Sequence, residues 1–182
     1  MITLGYLDTP RVWIGCLACY NAGRLVGDWY EADAADLVSG GDLHGRPTDH
    51  DELWVMDHEN FLGAIVGECS PHHAAKIAKT LREILPYEHG PFAAWFSEYG
   101  DSGDDLAEDL ERFRDEFRGQ HDSEADFARV CAEEVLIGEE QQLLARWPFN
   151  GIDWDRAAVE LFSGAYCSID APGGGVYVFD IG

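Results

Sequence analysis

The sequence predicts an α+β protein, an elongated chain of three small domains. Two observations carry this reading. Apolar residues follow a strand-like period of two near the start, a helical period of 3.6 from residue 71, and strand-like patterning again at the end. Glycine- and proline-bearing turns separate these blocks and set seams near 70/71 and 119/120. The expected units are a β-rich N-terminal domain (1–70), a helical acidic middle domain (71–119) and an α+β C-terminal domain (120–182).

Residues 11–20 and 24–30 are rich in β-branched and aromatic side chains and read as two strands. Asn21-Ala22-Gly23 between them predicts a hairpin turn, with Gly23 at positive φ. Residues 32–38 fit one short helix. A Gly-, His- and Asp-rich loop over 39–52 follows, and 53–57 (LWVMD) fits a third strand. Ser70 as N-cap and Pro71 in the first turn open a helix whose buried stripe is Ala74, Ile77, Ala78, Leu81 and Leu85, up to Pro86. A second helix over 88–99 is ended by Gly100. Leu106, Leu110, Phe113 and Phe117 form a third stripe, with a short strand near 113–118 as the alternative. Ser123-x-x-Asp126 resembles a capping box and opens a helix carrying Phe127, Val130, Cys131, Val135 and Leu136. A short helix over 153–162 precedes two strands (165–169 and 176–181) flanking the turn 171–175.

Charge is the outlying property. Thirty-five Asp and Glu against twelve Lys and Arg leave a net charge of −23. Such a chain repels nucleic acid and anionic membrane and is drawn to basic surfaces, so direct nucleic-acid binding is excluded. The three expected domains carry −9, −5 and −9, so acidity is spread through the chain rather than held in a tail. With 46% hydrophobic and 12% aromatic residues, there is material for a folded core, unlike a disordered acidic segment. No secretory leader and no membrane span are legible, and five scattered cysteines suit reduced thiols, so a cytoplasmic location is expected.

Acid density peaks in the second half of the chain, at Asp101, Asp104, Asp105, Glu108, Asp109, Glu111, Asp115, Glu116, Asp122, Glu124, Asp126, Glu133, Glu134, Glu139 and Glu140. Carboxylates three or four apart on a helix repel by a few tenths of a kcal/mol per pair. Keeping many such pairs suggests a use for their field. At the charge density of B-DNA, 23 charges correspond to about 39 Å of duplex. An acidic scaffold of that size suits a groove lined with Lys and Arg. The same excess, with only Lys76 and Lys79 as lysines, also fits adaptation to high salt, or an acidic module for another basic partner. Composition leaves these open.

Catalytic motifs are weak. Cys16-x-x-Cys19 has zinc-ligand spacing, but it lies inside a predicted strand with no second CxxC and reads as ordinary core cysteines. His44, His50, Asp51, His58, His72 and His73 fall in no recognised ligand spacing. Gly173-Gly174-Gly175 lies in a turn with no helix after it, which is not a phosphate cradle. No cofactor, no metal and no enzymatic activity are expected.

One stretch is more specific. LLARWPFNGIDWDRAAVELFSGAY (143–166) resembles the antirestriction motif region of the ArdA family, in which an Ile-Asp-aromatic core leads into a short helix and the last strands. VWIGCLACYNAGRLVGDWYEA (12–32) resembles that family's opening hairpin, and WVMDHENF and FARVCAEEV fit between them. The resemblance implies three small domains in a curved, elongated homodimer joined through the C-terminal domain. It also implies inhibition of type I restriction-modification enzymes by occupying their DNA-binding channel, without catalytic residues. By this likeness Trp147, Phe149, Ile152, Asp153, Trp154 and Asp155 lie at or near the dimer contact, and the acids above stand in for phosphates. The aromatic content of that stretch suits either an interface or the core of the third domain.

Overall fold

The computed structural model describes residues 8–100, 106–136 and 138–182, and side chains at all of these except 138, 139 and 141. Within it the chain is mixed α and β, with two separate three-stranded antiparallel sheets. Contacts divide it into two compact units, Met1–Leu110 and Glu111–Gly182.

In the first unit β1 (Arg11–Cys16) is the central strand, between β2 (Gly27–Glu31) and β3 (Leu53–Glu59). Val12, Ile14 and Cys16 alternate onto one face and are fully or almost fully buried. On the other face the Trp13 ring packs closely against Gly15 and Gly27. A Cβ at Gly15 or Gly27 would come within 2.6 Å or 2.5 Å of it, so both positions require glycine. The expected tight hairpin is not what joins β1 to β2. The strand stops at Cys16, and residues that pattern predicts as strand form a short helix, α1 (Leu17–Asn21). Cys16 caps this helix, its sulfur accepting the Cys19 N–H at 3.4 Å. Gly23 does take a positive φ, +72°.

A 3₁₀ turn, Ala32–Leu37, replaces the short helix expected there. The 39–52 loop contains α2 (Gly40–His44), which Ser39 and Asp42 open with a reciprocal capping box. The helix α3 (Pro71–Glu83) starts as the sequence predicts, with Ser70 Oγ accepting the His73 N–H at 3.2 Å. Its apolar stripe is buried at Ala74, Ile77, Ala78 and Leu81, but the helix ends before Leu85, which is exposed. α3 packs on the 3₁₀ turn and on β3, and Lys79–Asp36 and Arg82–Asp33 ion pairs reinforce the first contact. Its contacts therefore run across position 70/71. The helix α4 (His89–Tyr99) buries Phe92, Trp95 and Phe96, and the Gly100 N–H closes it on the Phe96 carbonyl.

The helix α5 (Leu106–Glu116) spans the boundary of the two units. In the second unit β6 (Val176–Asp180) is central, between β4 (Phe117–His121) and β5 (Tyr166–Asp170). Each unit thus has a three-stranded sheet: β3, the third strand expected at 53–57, completes the first, and β4, which precedes the β5–β6 hairpin in the chain, completes the second. Both faces of β6 are covered. Phe113 and Phe117 pack on Phe179, with ring centroids 6.4 and 5.5 Å away. On the opposite face Phe127 of α6 (Glu124–Val135) meets Tyr166 and His121, each at 4.9 Å. Phe162 also meets Phe127, beside the helix α7 (Trp154–Leu161). Ser123 and Asp153 cap α6 and α7 as their residue types dictate. Val135, expected in the buried stripe of α6, is exposed at its last turn. The turn 171–175 is as expected, with Gly174 and Gly175 at positive φ.

Candidate functional site: acidic faces, an exposed aromatic segment and a thiol–imidazole cluster

Which face of each helix is covered decides which acids reach solvent. On α5, Glu108, Glu111 and Asp115 are exposed, whereas Asp109 is buried at 7% exposure and does not present its carboxylate outward. Glu116 is half-buried and holds Arg112 at 2.7 Å. At the start of α6, Asp122 is exposed, while Glu124 turns in to accept the Ser168 hydroxyl at 2.6 Å. Arg129 reaches both Asp126, at 2.8 Å, and Glu133. Its hydrogen bond holds the Asp126 carboxyl below the usual carboxylate range, against a smaller opposing effect of burial. Glu134 and Glu140 are exposed. Asp101, Asp104 and Asp105 lie outside the described residues, as does the Glu139 side chain. The expected array is therefore not uniform: some members face water, and others are absorbed in local pairs.

An open cleft of about 560 Å³ brings members of the array next to the C-terminal segment. Asp122 and Glu124 line it together with Asp155, from α7, and Asp170, from the end of β5. No sequence spacing links these four, because the sheet and the α6–α7 contact bring them together.

The segment predicted as a dimer contact is largely outside the core. Trp147 is 86% exposed and Phe149 45%, while Ile152 and Trp154 are half-buried. Leu143 and Val159 nearby in sequence are exposed as well. Asp153 spends its carboxylate on the Arg156 N–H, and Asp155 follows it, exposed, in the first turn of α7. Trp147 and Phe149 thus leave two aromatic side chains at the surface within one short stretch.

In the first unit the structure assembles something that spacing did not reveal. The two CxxC sulfurs and the imidazoles of His44 and His50 converge, with one ligand atom from each lying within 4.8 Å of the others. By spacing alone the cysteines read as ordinary core residues and the histidines fall in no ligand pattern. His44-x5-His50 following Cys16-x2-Cys19 was the available signal. The 24 residues between Cys19 and His44 are more than the 12–15 of a compact finger, which hid it. Asp51, His58, His72 and His73 do not belong to this cluster.

Compared with known families, residues 12–172 match the one described as antirestriction protein (ArdA). No curated protein matches the chain.

Proposed function

The chain belongs to the antirestriction protein (ArdA) family, and on that premise we propose that it disables type I restriction-modification enzymes by imitating DNA. Its carboxylates take the place of phosphates in the Lys- and Arg-lined channel of the enzyme, and no bond is made or broken. The observation that carries this reading is the charge, −23, with Glu108, Glu111, Asp115, Asp122 and Glu134 turned to solvent. A groove built to grip phosphates meets these groups with the same charge-assisted hydrogen bonds. Because the acids offer no base edges, selectivity rests on spacing and shape.

The acting form is a homodimer joined through the 143–166 segment. Support comes from Trp147 and Phe149, whose apolar surface costs free energy while it faces water and gains by burial against a second copy. A twofold-symmetric inhibitor also suits an enzyme that reads a bipartite target.

The test is displacement of fluorescent DNA from a purified type I methyltransferase core, followed by anisotropy at several salt concentrations. Stoichiometric displacement is expected, with affinity falling as a power of salt concentration as bound ions are released. Inhibition of restriction without DNA displacement would overturn mimicry and leave an acidic module acting on another basic surface.

A further inference from the structure

The geometry points to a structural zinc site in the first unit, formed by Cys16, Cys19, His44 and His50. Cys16 Sγ lies 3.4 Å from His50 Nδ1, Cys19 Sγ lies 3.5 Å from the same nitrogen, and Cys19 Sγ lies 3.9 Å from His44 Nε2. Tetrahedral zinc, with Zn–S near 2.3 Å and Zn–N near 2.0–2.1 Å, sets a sulfur and a nitrogen ligand about 3.6 Å apart. The observed separations bracket that value. Two thiolates and two imidazoles in a tetrahedron are a donor set for zinc rather than for calcium or magnesium, which take oxygen.

The surroundings are those of a built site. Both cysteines are buried, at 1% and 2% exposure, and both histidines are half-buried. The Cys19 N–H points at Cys16 Sγ, and the Arg24 guanidinium lies 3.8 Å from Cys19 Sγ. The His44 and His50 rings meet edge to face at 5.1 Å, so neither blocks the other's approach to a common centre. The backbone holds the histidines in place. His44 ends α2, where Gly45 turns the chain at φ +62°, and the Leu17 N–H binds the Glu52 carbonyl at 3.0 Å. Gly40 packs so closely on the His50 carbonyl that a Cβ there would sit 2.1 Å from its oxygen.

A bound ion would add a tie that local structure supplies only through the Ser39–Asp42 capping box. A five-residue helix such as α2 is too short to stand alone in water. Zinc would tie α2 and the following loop to the end of β1, replacing apolar burial that the 39–52 segment lacks. Four protein ligands leave no open position for water or substrate, so the site is structural. Two thiolates balance the charge of the ion, so the acidity on which the proposed mimicry rests is unchanged.

Metal analysis of the untagged full-length protein, purified without chelator, is expected to find one zinc per chain. Cobalt substitution should produce the thiolate charge-transfer and d–d bands of a tetrahedral site. Cys19→Ser and His50→Ala should lower the metal content at least tenfold, while Cys131→Ser and His72→Ala should retain it. His44→Cys supplies an alternative ligand and should keep both zinc and the cobalt spectrum, which separates loss of a ligand from failure to fold. Metal-free wild-type protein whose thermal midpoint is indifferent to added zinc would overturn the site, as would zinc retained in Cys19→Ser. Neither result bears on DNA displacement, which is measured separately.

Discussion

The two compact units share a plan and differ in how they use what lies between the strands. Each has a three-stranded antiparallel sheet with a buried central strand, β1 in one and β6 in the other. Charge does not distinguish them. The first has 20 acidic and 6 basic residues over 110 positions and the second 15 and 6 over 72, giving −14 and −9, the same density per residue. What differs is where the connections go. In the first unit they fold inward, bringing two cysteines and two histidines together at the end of β1. In the second, the connection between α6 and α7 stays outside and carries Trp147 and Phe149 into solvent. Both units leave apolar side chains at the surface, Leu25, Leu37 and Val66 in the first among them, but among the described residues only the second exposes a tryptophan and a phenylalanine within one short connection. Acidity is thus even across the chain, while the exposed tryptophan and phenylalanine are concentrated in one connection of the second unit.

The largest effect on stability is expected in the two cores. Trp95→Ala in the first unit and Phe127→Ala in the second each remove a buried aromatic side chain and should cost about 3–5 kcal/mol. Urea denaturation measures both. A loss below 1 kcal/mol at either site would mean that its core is less tightly packed than the ring contacts indicate.

The charge array is expected to act collectively. Replacing Glu108, Glu111, Asp115, Asp122 and Glu134 together by amides should weaken DNA displacement at least a hundredfold. Each alone should change it by no more than about fivefold, because one exposed charge contributes about 1 kcal/mol or less. A single replacement that abolished inhibition in a folded protein would replace the array with a keyed contact.

The outward segment should separate association from folding. Phe149→Asp or Trp154→Asp is expected to give monomers in sedimentation velocity. Trp147→Asp, at a largely exposed position, should change folding stability by no more than about 0.5 kcal/mol. Dimers that persist in all three variants would move the interface elsewhere.

The smallest effect is a difference in acid response. Burial, with lesser contributions from Lys76 and His72, holds His73 below the usual histidine value. Its contribution is therefore complete above about pH 6.5 and is lost as pH falls through its lower folded value. Asp126, held down by Arg129, contributes fully above about pH 4 and loses that only in stronger acid. Amide exchange measured from pH 7.5 to 4.5 should show protection in α3 falling before protection in α6. The reverse order would contradict the environments of these two groups.

Local chemistry made much of this legible in the sequence. Ser70, Ser123 and Asp153 predict helix starts because a side-chain oxygen satisfies an N–H within three residues, whatever the rest of the fold does. The same holds for Gly23 and the 171–175 turn, where backbone conformation selects the residue. Net charge is a sum over residues and needs no structure, and family membership was readable in the motifs at 12–32 and 143–166. Tertiary structure alone decided the rest. Strand propensity could not show that β1 stops at Cys16, because the capping sulfur belongs to a residue that also reads as strand. Spacing could not show that Asp109 turns inward while Glu108 and Glu111 turn outward, since that depends on which face of α5 is covered. Nor could it bring His44 and His50 to Cys16 and Cys19. That convergence depends on β3 pairing with β1 across some forty residues, a long-range contact with no local signature.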